Sequence, residues 1–270
     1  MTAALPDYRI FAIRHAENTV RTRGNNFIND PDPLDLLQMD FYFWVISGAG
    51  RVIVVDTGID AAKGAANGHH QTIAPPEALR ALGVAPDAVD TVILTHAHYD
   101  HVGYLDAFPR AQFWMQAEEM AHITGPWMQV PFFAHAYHAD DIARLEDLLR
   151  RDRLQLHDRD LEFAPGLSLH RVGGHTAGQE VVRVHTARGW VVLASDALHY
   201  FEELERGVPY AIAFGLPEML AAHDRIRAMA ESEAHIVPGH DPRVARIYPP
   251  AQSDLAETVF RVDLPPSGAN

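Results

Sequence analysis

The sequence predicts an α/β protein whose sheets are covered by helices, and three observations lead there. Nine short runs rich in β-branched and aromatic residues are bounded by turn residues. Three longer stretches have helical length and apolar spacing. The runs come first in series and then mixed with the helices. The expected strands are 8–13, 41–46, 52–55, 91–94, 112–115, 167–172, 181–184, 191–194 and 234–237. Ser47-Gly48-Ala49-Gly50 makes a hairpin of the second and third, and 185–189 does the same for the seventh and eighth. The expected helices are 75–82, with proline in its first turn, 140–150, with apolar Ile142, Leu145, Leu148 and Leu149, and 217–230. Segments 17–40 and 125–138 read as long loops, which in compact domains are often functional.

Composition narrows the function. The 270 residues are 47% hydrophobic with 22 basic and 36 acidic side chains, and no repeat or linker divides them, so a single domain over 1–270 is expected. No apolar run approaches the ~18 residues of a membrane span. Residues 1–8 have neither a basic segment nor a following apolar stretch of leader length, so the cytoplasm is the expected location. A net charge of −14 repels a phosphate backbone, and the basic cluster Arg150, Arg151, Arg153 is interrupted by Asp152, so neither nucleic acid nor membrane is an expected partner. The absence of cysteine removes disulfides, iron–sulfur clusters and thiol nucleophiles. No phosphate-binding glycine loop, dinucleotide fingerprint or serine nucleophile elbow is present. Seventeen histidines remain to be explained.

Their spacing supplies the chemistry. Thr95-His96-Ala97-His98-Tyr99-Asp100-His101 places four potential metal ligands at the end of an expected strand. His175 in Gly-Gly-His-Thr-Ala-Gly, Asp196 after 191–195, and His240 in Pro-Gly-His also follow strands. In layered α/β proteins, sites gather at the carboxyl ends of strands, so these four segments can converge. Seven ligands exceed the needs of one four-coordinate ion. The sensible division gives His96, His98 and His175 to one ion and Asp100, His101 and His240 to the other, with Asp196 bridging. Two divalent ions roughly 3.5–4 Å apart would share a water and lower its pKa toward neutrality. With nitrogen and oxygen ligands alone, Zn2+ is the expected metal, and Mn2+, Fe2+ or Co2+ would also be tolerated.

At these residues the chain resembles the metallo-β-lactamase superfamily, whose mark is His-x-His-x-Asp-His followed by a distant His, Asp and His. The resemblance covers about residues 42–248. It implies an αββα sandwich, two mixed sheets face to face with helices outside and the metals on one edge. It also implies that Asp56 in Val-Val-Asp-Thr-Gly orients a ligand or shapes the metal-facing turn, although a turn residue satisfied by backbone amides is the competing reading. Within the superfamily the chain is most similar to the N-acyl homoserine lactonase group, through the stretch from Ser195 to Glu203 and Gly207-Val208-Pro209-Tyr210. That group carries a tyrosine three residues after the bridging aspartate. Here His199 stands at that position and Tyr200 follows it.

The resemblance implies opening of a lactone ring, an N-acyl homoserine lactone in the quorum-quenching case, by attack of a hydroxide bridging the two metals. His199 or Tyr200 would hold the oxyanion, and Asp100 would carry a proton to the ring oxygen. Phe27, Ile28, Trp127, Phe132 and Phe133 could line an acyl groove for a small-molecule lactone or ester, although ordinary core burial is the expected role for any one of them taken singly. His69 and His70, beside Gln71, could approach the site, although a surface loop is the expected reading, and a homodimer is left open. The alternative is a thioester hydrolase of the hydroxyacylglutathione hydrolase type. That reading is disfavoured because Arg261 is the only base in 251–270. An iron-dependent persulfide dioxygenase and a non-catalytic metal-binding protein are the remaining readings.

Overall fold

The computed structural model describes residues 4–267. Its first sheet comprises β1 (Arg9–Asn18), β2 (Met39–Gly48), β3 (Arg51–Val55), β4 (His70–Gln71), β5 (Thr91–Ile93), β6 (Gln112–Gln116), β7 (Leu154–His157) and β13 (Val259–Arg261). Their order is β13-β1-β2-β3-β5-β6-β7, with β4 pairing on β1. The second sheet holds β8 (Leu161–Ala164), β9 (Leu167–Arg171), β10 (Glu180–Thr186), β11 (Gly189–Ser195) and β12 (Ile236–Pro238), in the order β12-β11-β10-β9-β8. Both sheets are mixed: β3, β5, β6 and β7 run parallel, as do β11 and β12, and the remaining pairs are antiparallel.

The helices are α1 (Arg23–Asn26), α2 (Ala61–Ala66), α3 (Pro75–Ala81), α4 (Ala117–Ile123), α5 (Pro131–Ala134), α6 (Ala139–Arg150), α7 (Phe201–Arg206), α8 (Leu216–Met229) and α9 (Arg243–Ile247). Side chains alternate across a strand, and here each face of the central strands has its own partner layer. From β2, Tyr42, Trp44 and Ile46 point inward to Val182, Val184, Val191 and Leu193 of the second sheet. Phe43 and Val45 of the same strand point outward, to a cluster holding Leu79 of α3, Met120 of α4 and Leu145 of α6. On the far side, Val192 and Ala194 of β11 pack on Ala222 and Ile226 of α8. The result is an αββα sandwich. Burial on both faces explains why these strands read as nearly unbroken apolar runs.

All nine expected strands and three expected helices form, with boundaries shifted by a few residues. Ala49 and Gly50 both have positive φ, the backbone that a two-residue hairpin requires. The expected loop 17–40 is trimmed by β1 and β2 and contains α1, and 125–138 contains a 3₁₀ turn (Pro126–Gln129) and α5. The sandwich positions the site by topology. The chain leaves the carboxyl ends of β3, β5, β9, β11 and β12 at one edge, and the amide of Glu180 donates to the Thr95 carbonyl there at 3.0 Å, tying the sheets together.

Candidate metal centre

Two groups of side chains converge at that edge. His96, His98, His175 and Asp196 offer ligand atoms that all lie within 4.8 Å of one another, and so do Asp100, His101, Asp196 and His240. Asp196 belongs to both. Its Oδ2 lies 3.3 Å from His175 Nε2 and 3.8 Å from His96 Nε2, while its Oδ1 lies 3.1 Å from His101 Nε2 and 3.0 Å from His240 Nε2. Asp100 Oδ2 approaches the second group at 3.6 Å from His101 and 3.8 Å from His240.

The outward nitrogens of four rings are committed. His101 Nδ1 donates to Asp56 Oδ2 at 2.8 Å, His175 Nδ1 to the Ile212 carbonyl at 2.9 Å, and His240 Nδ1 to the Asp40 carbonyl at 2.8 Å. Thr95 Oγ1 donates to Asp56 Oδ2 at 2.8 Å, so toward His96 Nδ1, 3.2 Å away, it accepts. Each ring is thereby oriented with Nδ1 engaged outward and Nε2 facing inward, where an ion would take its lone pair. His96 Nε2 and His101 Nε2 are buried and hydrogen-bond to nothing among the described residues. An orphaned buried acceptor costs roughly 1–3 kcal/mol, so the donor set fits a cation that would satisfy it.

Electrostatics separate the two groups. Burial, reinforced by neighbouring imidazoles, holds His96 and His98 well below the usual histidine range and His175 at about 3, so these rings stay neutral. Burial alone would also lower His101, but Asp196, Asp100 and Asp56 outweigh it and hold that ring well above its usual range. The carboxylate-rich group asks for positive charge, which a divalent ion supplies more fully than a proton.

Two strained residues shape the floor. Asp56 (φ 63°) and Ser195 (φ 47°) occupy the left-handed region that non-glycine residues avoid. The Asp56 carboxylate accepts from the Thr95 amide at 2.8 Å as well as from Thr95 Oγ1 and His101, so it orients a ring and shapes the turn together. Gly239 is needed because a Cβ there would come within 2.7 Å of the Ser195 carbonyl.

His199 is fully buried, with Nε2 3.1 Å from Asp196 Oδ2 and its ring stacked on Tyr210 at 3.5 Å. Glu203 Oε1 accepts from the amides of His199 and Tyr200 at 2.7 and 2.8 Å, which holds the turn that presents His199. Burial alone would lower His199, yet Asp196 and Glu203 push it up to about 9. Tyr200 goes elsewhere. Its hydroxyl donates to the Gln38 carbonyl at 3.3 Å and accepts from Asn26 Nδ2 at 3.2 Å, so its expected place at the reacting centre is corrected.

The expected apolar lining is also revised. Phe132 and Phe133 line a cleft of about 10 Å³ against His98 and His175, together with Tyr137, Ile212 and Phe214. Trp127 packs behind that wall on Phe133 and Phe214, at 5.3 and 5.6 Å between ring centres. Phe27, 1% exposed, is a core residue packed with Met39, Tyr200 and Tyr210, and Ile28 is half-buried and does not line the cleft. The expected surface loop at His69 and His70 is half wrong. His70 is exposed, but His69 is buried against Phe41, whose other edge meets His240. Val20 N–H donates to Asn18 Oδ1, which turns the Asn18 amide nitrogen toward His69 Nδ1 at 3.2 Å. His69 Nε2–H therefore donates to the Tyr99 hydroxyl at 2.8 Å. Tyr137, Phe214 and Glu119 had no local signal in the sequence, since only the tertiary fold brings them to this edge.

Comparison with known proteins agrees with this architecture. The chain is 33% identical over 185 residues to the N-acyl homoserine lactonase AiiB of Agrobacterium fabrum, a match covering 62% of each chain, so it spans less than two thirds of that relative's length. It is 25% identical over 236 residues to an N-acyl homoserine lactonase of a Bacillus species, covering 80% of this chain and 88% of the other. A solved structure described as a quorum-quenching N-acyl homoserine lactone lactonase superposes with a TM-score of 0.73 at 22% identity, over 90% of this chain and 95% of that one. The family model for the metallo-beta-lactamase superfamily matches residues 42–244, about three quarters of the sequence, and the chain belongs to that superfamily.

Proposed function

We propose that this protein is a dinuclear metal-dependent hydrolase that opens the ring of an N-acyl homoserine lactone, working as one domain in the cytoplasm. The observation that carries the reading is Asp196, which offers one oxygen to each of two ligand groups. Relatives named as lactonases support the substrate class. His96, His98 and His175 would hold one ion and Asp100, His101 and His240 the other, with Asp196 offering an oxygen to each and zinc the expected metal. When bound, such ions supply Lewis acidity and a water acidic enough to attack near neutral pH.

The chain's own residues do the rest. His199, buried beside Asp196, donates its Nε2–H to the oxygen that gains charge as the ring carbonyl is attacked. Asp100 takes the proton of the attacking water and returns it to the ring oxygen as the bond breaks. Phe132, Phe133 and Phe214 offer the acyl chain an apolar wall. Phe132, which is 61% exposed, stands at the mouth of that cleft, where an acyl chain would meet it first. The test is a hydrolysis panel on metal-quantified protein, with acyl homoserine lactones, simple γ- and δ-lactones, S-lactoylglutathione and a β-lactam. Fastest turnover of an acyl homoserine lactone is expected. Faster turnover of the thioester overturns the assignment.

A further inference from the structure

Glu119 lies outside both ligand groups, fully buried in the first turn of α4, and it accepts four hydrogen bonds. Oε1 takes the amide of Ala97, the residue between His96 and His98, at 3.0 Å, and the hydroxyl of Tyr137 at 3.3 Å. Oε2 takes the hydroxyl of Thr176 at 2.6 Å and the amide of Gly178 at 3.0 Å, both in the loop that carries His175. One oxygen thus serves each of the two loops that bring three imidazoles to the first ligand group. The Tyr137 ring in turn meets the His98 ring edge-on at 4.5 Å. The approach is close by design of the backbone: a Cβ on Gly178 would lie 2.2 Å from the Glu119 amide nitrogen.

The second group has a different support. Asp56 holds His101 and the Thr95 turn, and the Asp40 carbonyl holds His240. Neither makes contact with Glu119. Asp56 reaches both groups, His101 directly and His96 through Thr95, whereas the four bonds to Glu119 serve the first group alone, so loosening Glu119 need not loosen the second.

We infer that Glu119 is a positioning residue for the first metal site alone, setting the spacing of His96 and His98 against His175. The inference rests on the dinuclear reading and deepens it. Glutamine at 119 keeps the size but turns an amide N–H₂ onto one pair of donors, so one loop loses its anchor.

Cobalt(II) titration followed by visible absorbance tests this, because a site of three imidazoles and one carboxylate absorbs differently from one with two of each. The unmodified protein is expected to take up two ions in distinguishable steps. In Glu119→Gln the step belonging to the imidazole-rich site should weaken by about 10–100-fold, with the other step unchanged, and excess metal should restore activity. Asp56→Asn, which loosens His101 directly and His96 through Thr95, should weaken both steps. Thr176→Val removes a single donor and should weaken the same step as Glu119→Gln by a smaller factor, which decides the matter if Glu119→Gln fails to fold. Two unaltered steps in the folded variants overturn the role of Glu119 and leave the dinuclear reading standing. Fewer than two ions in the unmodified protein overturns that reading, and the inference with it.

Discussion

His98 and His175 of the first group sit against a wall of aromatic rings, whereas on the side of the second group a polar network of His69, Asn18 and Tyr99 lies beside Asp100 and across the Phe41 ring from His240. The first group is held neutral by burial, and the second is rich in carboxylate, with Asp100 its most exposed member. The contrast shows how two adjoining sites built from the same residue types can divide a reaction. The apolar side suits an acyl chain and a polarised carbonyl. The acidic, wetter side suits proton transfer and a leaving alkoxide.

Breaking the comparison outright means removing what the two groups share. Asp196→Ala should lower kcat/KM by roughly three orders of magnitude or more and cut metal content at both sites, because several kcal/mol of transition-state stabilisation depend on the ions. An active variant with two ions bound would falsify the shared-carboxylate reading. Stripping the metal with a chelator leaves the inward lone pairs of both groups unsatisfied. The folded state should then lose about 4 kcal/mol per ion, about 8 kcal/mol for the pair, at metal concentrations near a thousand times Kd, seen as a lower Tm by calorimetry that readdition reverses. An unchanged Tm would mean that neither group is a metal site.

Smaller changes sharpen the contrast. His199→Phe should lower kcat by about 100-fold while bound metal stays constant, since it deletes one donor to the developing oxyanion. Unchanged kcat would remove His199 from the chemistry. Phe132→Ala should raise KM for long-chain acyl lactones by about 5-fold, worth ~1 kcal/mol of apolar contact, and leave short lactones unaffected. Equal effects on both would place the acyl chain elsewhere.

How far the sequence revealed this depends on the residue. The central strands were legible because both faces are buried, which leaves unbroken apolar runs such as Phe41 to Ile46. The edge strands β7 and β8 were not, since Leu-Gln-Leu-His and Leu-Glu-Phe-Ala are short and partly exposed. The seven potential ligands were legible because histidines crowded beside a carboxylate have little other use. Glu119 was invisible for the opposite reason. It follows Glu118 at the start of a short helix, where acidic residues are ordinary, and nothing local distinguishes the buried one from the exposed. Tyr200 misled because aromatic residues near a site-forming loop look alike whether they face the cleft or the core, while Phe27 took the core place expected of any one of the five apolar candidates.

The tight seat of Gly178 against α4 sets limits on how a chain with the proposed function can diversify. Any side chain there would have to push a helix off a ligand-bearing loop, so that position tolerates no experimentation. Phe132 stands free at the rim and can be exchanged without disturbing the reaction centre. Laboratory evolution toward new acyl groups should therefore accumulate changes along the 125–138 segment while the junction beneath the histidines stays frozen, letting preference drift on top of invariant chemistry.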